Sequence, residues 1–186
     1  MTENITDKIP TRDECEELMA EYAMLPHIAE HSRQVMRVSA AIADHLKDGV
    51  SVNRDLVIAA ALLHDITKTR SLTTKERHAA SGAALLRELG FRRVAVIVEQ
   101  HVILQNLNLE GRLEEAEIVF YADKRVMHDT IVTLDERVDD LIKRYAASED
   151  IHNLILKNKV QALAVERKIT GSMKIDIRDA LEALHE

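Results

Sequence analysis

A histidine stands directly before an aspartate at His64-Asp65, closing the apolar run Leu56-Val57-Ile58-Ala59-Ala60-Ala61-Leu62-Leu63. An imidazole and a carboxylate in such a setting cost free energy unless they are paired. Both are ligand types for divalent metal ions, and a bound ion would satisfy both. Further residues of ligand type, His31, His78, His101 and Asp123, lie along or at the ends of other expected helices. No expected helix places two of them at i, i+4 spacing, so a site built from them must be assembled by the tertiary fold. Taken singly, each has an ordinary reading. The doublet suits a hydrogen-bonded helix end, His31 a satisfied core histidine, and His78 and His101 surface or helix-terminal histidines.

The elements that must position these residues are helices. Thr11 with Glu14 forms a capping box for a helix running to about Tyr22. Pro26 opens a long helix that Gly49 ends, with His31 on the stripe of Val35 and Val38. Asn53 caps the helix that ends near His64, and the polar stretch Ile66–Thr74 reads as a loop. Thr73 with Glu76 reads as a second capping box, starting a helix that carries His78 and stops at Gly90. A short helix spans Arg92–His101, a polar loop Gln105–Gly111, and a helix Glu114–Val126 carries Asp123. Thr133 with Glu136 caps a helix to about Tyr145, and Ser148 one to about Lys168. A last amphipathic helix covers Ser172–Leu184. The best boundary lies near residues 128–133. We therefore expect an N-terminal helix in 1–25 packing on a bundle in 26–128, followed by a C-terminal helical extension in 129–186.

Composition agrees with an all-α fold, because five Gly and two Pro are too few breakers for an all-β chain of 186 residues. A net charge of −7 argues against a nucleic-acid partner. It leaves room for a small phosphorylated substrate, since bound metal supplies positive charge locally. Cys15 is the single cysteine, so no internal disulfide forms and a reducing compartment is expected. Residues Met1–Thr11 show no signal-peptide pattern, and no apolar run reaches the roughly 18–20 residues of a membrane helix. We expect a cytoplasmic protein without a membrane partner; the sequence leaves homo-oligomerisation open.

The stretches His31-Ser32-Arg33-Gln34-Val35, Leu62-Leu63-His64-Asp65-Ile66-Thr67-Lys68 and Tyr121-Ala122-Asp123-Lys124, in that order, resemble the HD-domain superfamily of metal-dependent phosphohydrolases. That family carries a His, a His-Asp doublet and a distant Asp on a helical bundle, and the resemblance covers roughly residues 26–126. His78, in His78-Ala79-Ala80-Ser81-Gly82-Ala83, and His101 resemble the extra histidines of its dinuclear members. The resemblance implies that His31, His64, Asp65 and Asp123 hold one metal. Asp65 then bridges to a second metal on His78 and His101. Two divalent transition ions, iron or manganese foremost, fit the mixed nitrogen and oxygen ligands. Such ions acidify a bound water and neutralise charge on a phosphoryl group. Asp65 thereby has a catalytic place, and Lys68, three residues on, would contact a substrate phosphate. Lys124 and Arg125 would do likewise, or else be exposed bundle residues.

Within the family, the Gly-Tyr-Pro motif of cyclic-dinucleotide phosphodiesterases is missing. No Pro follows Pro26, and Val102 rather than a second His follows His101. Ile66-Thr67-Lys68-Thr69 carries neither the acidic pair of guanosine tetraphosphate hydrolases nor the Glu of deoxynucleotide monophosphatases. The nearest resemblance is to the small dinuclear hydrolases of the HD-x-x-K type that cleave dinucleoside polyphosphates such as symmetrical diadenosine tetraphosphate. The implied function is hydrolysis of a phosphoester or phosphoanhydride bond in a nucleotide-like substrate. The alternatives are a non-catalytic metal- or nucleotide-binding regulatory module and a di-iron oxygenase on the same scaffold. His27, His45, His128, His152 and His185 read as ordinary histidines, and the charged run Asp135–Lys143 as a solvated helix face.

Overall fold

The computed structural model describes residues 7–185, without the side chain of His185; residues 1–6 and 186 lie outside that description, including most of the N-terminal stretch scanned for a signal. The order is α1 (Arg12–Glu21), α2 (Pro26–Asp44), α3 (Arg54–Leu63), α4 (Lys68–Thr74), α5 (His78–Glu88), α6 (Arg92–Gln100) and α7 (Glu115–Lys124). A hairpin of β1 (Val126–Met127) and β2 (Thr130–Ile131) follows, then α8 (Leu134–Tyr145), α9 (Glu149–Ser172) and α10 (Ile177–Glu182). The architecture is all-α apart from that antiparallel hairpin, which pairs Val126 with Ile131 and Met127 with Thr130. No described helix is long and apolar enough to cross a membrane.

The helix α3 is the centre of the bundle and packs against α1, α2, α6 and α7. Val57 and the run Ala59-Ala60-Ala61-Leu62-Leu63 are fully buried. The alanines let neighbouring helices approach closely, while Leu62 and Leu63 each contribute about 1.5–3 kcal/mol by leaving water. Asn53 caps the helix by accepting a hydrogen bond from Leu56 N at 3.0 Å. Because α3 is surrounded, the doublet at its C-terminal end is delivered into the middle of the molecule.

Several expectations about local structure need correction. The stretch Ile66–Thr74 is not a loop throughout, since Lys68–Thr74 form α4. Its residues include no buried side chain, so it has no apolar stripe from which a helical period can be read. The Thr73–Glu76 box does not form: Glu76 pairs with Arg70 instead, and the N-cap of α5 is Arg77 without a side-chain cap. The α2 helix ends at Asp44 rather than near Gly49, because residues 45–47 turn to meet residues 172–174. Lys47 N donates to Ser172 O at 2.8 Å and Lys174 N to His45 O at 2.8 Å. The same crossing ends α9 at Ser172, past the expected Lys168, and leaves Met173 extended opposite Leu46. The last helix therefore starts only at Ile177, capped by Asp176.

Candidate metal centre

The tertiary fold brings all six sequence-selected ligand types together. His31 comes from the second turn of α2, His64 caps the C-terminus of α3 with Asp65 next to it, His78 opens α5, His101 caps α6, and Asp123 sits in the last turn of α7. His64 and Asp65 are 0% and 1% exposed, His101 2%. The imidazoles form a row, with ring centroids 5.4 Å apart for His31 and His64, 5.0 Å for His64 and His101, and 5.1 Å for His78 and His101.

Two triads share Asp65. Ligand atoms of His31, His64 and Asp65 lie within 4.8 Å of one another, and so do those of Asp65, His78 and His101. The carboxylate divides its oxygens between them. Oδ2 is 3.4 Å from His64 Nε2, while Oδ1 is 3.3 Å from His78 Nε2 and 3.6 Å from His101 Nε2. Asp123 joins the first triad, its Oδ1 3.0 Å from His31 Nε2 and 3.7 Å from His64 Nε2.

The hydrogen bonds behind the rings set their orientation. His64 Nδ1 donates to Ala61 O at 2.7 Å, His101 Nδ1 to Val98 O at 2.7 Å, and His31 Nδ1 to His128 O at 2.8 Å. Each ring thus turns Nε2, with its lone pair, toward the carboxylates, which is the arrangement that backs metal-bound imidazoles. His64 Nε2 and Asp65 Oδ1 are buried without any hydrogen-bond partner. Orphaned polar atoms in the interior cost about 1–3 kcal/mol each, and a cation held in each triad would remove that cost. The Nε2 atoms of His78 and His101 approach to 3.2 Å beside the same carboxylate oxygen. The donor set therefore fits divalent metal.

Electrostatics point the same way. Burial pushes His78 down to about 4 and lowers His101, so both rings are neutral at neutral pH and their lone pairs are free. His64 goes the other way. Its burial works against the charged form, yet Asp65 and Asp123 hold it above the ordinary imidazole value. Asp65 and Asp123 stay far below the usual carboxylate range despite burial, Asp65 through Lys68 and His64, Asp123 through Lys124 and His31. The geometry asks for positive charge between two carboxylates.

Lys68 lies in the first turn of α4, where Nζ donates to Asp65 Oδ2 at 3.0 Å. Lys124 and Arg125 are neither exposed nor free to meet a substrate. Lys124 Nζ donates to His101 O at 2.6 Å and to Asp123 Oδ2 at 2.9 Å. Arg125 donates to Val132 O at 2.7 Å and to Tyr121 Oη at 2.5 Å. Thr67 ties the doublet's turn to α5, its hydroxyl donating to His78 O at 2.9 Å and meeting Ser81 Oγ at 2.9 Å.

A cleft of about 230 Å³ opens onto His31, Asp65 and Lys68. Its walls include residues the sequence reading passed over: His27 and His128, read as ordinary, and Arg137, Arg144 and Tyr145 from α8. The charged run Asp135–Lys143 is accordingly not all a solvated face, since Arg137 and Asp140 are half-buried. A signal was present in the spacing: Arg137, Asp140 and Arg144 recur at i, i+3 and i+7, on one face of a helix.

Residues 28–128 match the family model described as HD domain. Among curated proteins, the tRNA (cytidine(56)-2'-O)-methyltransferase of Picrophilus torridus is 30% identical over 164 residues, 81% of this chain. The chain spans only 45% of that protein's length. An uncharacterized protein of Methanocaldococcus jannaschii is 31% identical over 147 residues, covering 71% of this chain and 86% of the relative. The dihydroneopterin 2',3'-cyclic phosphate phosphodiesterase of the same organism is 45% identical over 51 residues, 26% of this chain and 20% of that protein. No solved structure matches. With more than half of its length on the family model and the family's ligand types gathered at one centre, the chain belongs to the HD-domain family.

Proposed function

We propose that this protein is a metal-dependent phosphohydrolase that cleaves a phosphoester or phosphoanhydride bond of a small, nucleotide-like substrate. The observation that carries the reading is the division of the Asp65 carboxylate between two triads of ligand atoms. His31, His64, Asp65 and Asp123 would hold one divalent ion, and Asp65, His78 and His101 a second, iron or manganese by ligand type. Such ions supply an acidified water and charge neutralisation at a phosphoryl group. The protein's own groups do the rest. Lys68 lines the cleft beside Asp65, and would meet a phosphate oxygen as a point charge. Lys124, committed to Asp123 and His101 O, holds the first triad in position. The cyclic phosphate phosphodiesterase relative supports phosphoester chemistry. Methyl transfer is not carried over, since this chain covers 45% of the relative so named.

Metal analysis tests the reading. Wild-type protein should hold about two ions per chain and His78→Ala about one, with Asp65→Ala close to none, because the carboxylate serves both positions. Full metal content in His64→Ala would overturn the assignment. Loaded protein should turn over at least one member of a panel of nucleotides, dinucleoside polyphosphates and generic phosphodiesters. A metal-loaded protein that hydrolyses none of them would defeat the enzymatic part.

A further inference from the structure

The α8 helix lies beyond the family-matched residues 28–128, yet it builds one wall of the cleft. On it, Asp140 holds two guanidinium groups at once. Its Oδ1 accepts from Arg144 Nε at 2.7 Å and its Oδ2 from Arg137 Nη1 at 3.2 Å. Arg144 Nη2 also reaches His128 Nε2 at 3.0 Å. Each guanidinium has five N–H donors, so most donors on both remain uncommitted. Arg137 Nε is buried with no partner at all. One carboxylate cannot neutralise two guanidinium groups, so the wall keeps positive charge in a protein whose net charge is −7. Two planar forks fixed side by side match the oxygens of a phosphoryl group.

Size and rim add to this. A cleft of about 230 Å³ has several times the roughly 30 Å³ of one water, but falls below the roughly 300–1,000 Å³ that encloses a drug-sized ligand. It suits the anionic end of a substrate while the remainder projects outward. At the mouth stand Leu72 and Tyr145, 51% and 54% exposed, an apolar and aromatic rim for whatever projects.

We propose that Arg137 and Arg144, braced by Asp140, form an anion subsite that binds a phosphoryl group other than the one cleaved. The substrate then carries a second phosphate next to the scissile one. This proposal rests on the phosphohydrolase reading and adds to it the residues that choose the substrate. They come from outside the family segment.

Calorimetric titration of metal-loaded protein tests it, with orthophosphate and α,β-methylene adenosine diphosphate as probes. The wild type should bind the diphosphate analogue at least about tenfold more tightly than orthophosphate. Arg137→Gln/Arg144→Gln should lose about tenfold or more for the analogue, with less than about threefold change for orthophosphate and unchanged metal content. The single variant Arg144→Gln, whose side chain is 36% exposed, should show part of the loss with unchanged thermal unfolding. Lys143→Gln, equal in charge change but off the cleft, should bind as wild type. Equal losses for both probes, or none for the analogue, would overturn the subsite. Wild-type protein that holds metal but binds neither probe would instead overturn the phosphohydrolase reading.

Discussion

His128 sits at a backbone φ of +57°, a region that favours glycine. Strain of this kind costs on the order of 1 kcal/mol and persists where surroundings require it. Here the carbonyl accepts the Nδ1 proton of His31 while the side chain meets Arg144. Substituting His128→Gly should leave stability unchanged or raise it by about 1 kcal/mol, while lowering affinity for the diphosphate analogue. Thermal unfolding and titration on the same variant check both halves. Cys15 provides a second residue-level expectation. Burial, with Glu14 and Glu16 nearby, pushes its thiol up to about 12. Below the ordinary thiol value both folded and unfolded chains keep the proton. As pH rises above it only the unfolded chain ionises, so stability falls between about pH 9 and 12. Denaturant titrations across that range should show the slope, and Cys15→Ala should flatten it. At pH 8 a thiol reagent should label the native protein no faster than it opens.

Among the elements, the turn between α3 and α4 ties the doublet to α5 and so positions His78. Thr67 is 3% exposed and binds both His78 O and Ser81 Oγ. Thr67→Val removes those bonds and should cost about 1–3 kcal/mol. It should also weaken the ion on His78 and His101 more than the one on His31, His64 and Asp123, as metal titration would read. The same turn marks how far a sequence can be read. The doublet stands out because a carboxylate beside an imidazole after Ala59-Ala60-Ala61-Leu62-Leu63 demands a partner, whereas His31, His78, His101 and Asp123 are singled out as ligands only through the family resemblance. The capping boxes at Thr11 and Thr133 formed; at the first, Lys8 takes only one carboxylate oxygen of Glu14 and leaves the other to accept from Thr11 N. The Thr73 box failed because Arg70, six residues earlier, takes Glu76. The α4 helix and the true start of α10 were illegible. One lacks an apolar face, and the other is set by a crossing of residues 45–47 with residues 172–174, far apart in sequence. The α8 wall was legible as spacing but not as function, since which helix face meets the cleft is a tertiary fact.

At the scale of the whole molecule, three cations share one opening with the carboxylates of Asp65 and Asp140. An acidic chain concentrates Lys68, Arg137 and Arg144 around one opening. Small anions should therefore associate there at rates that fall as ionic strength rises; stopped-flow binding of the diphosphate analogue at two salt concentrations measures this. The hairpin gives a last consequence, one for dissection of the chain. Its hydrogen bonds cross residue 128: Val132 N donates to Arg125 O at 2.8 Å and Arg125 Nε to Val132 O at 2.7 Å. A fragment cut where the family resemblance stops would keep every expected ligand. It would still forfeit the pairing that holds the His128 carbonyl against His31. The family match thus ends inside a hydrogen-bonded turn, and an excised 26–128 piece should melt well below the intact protein.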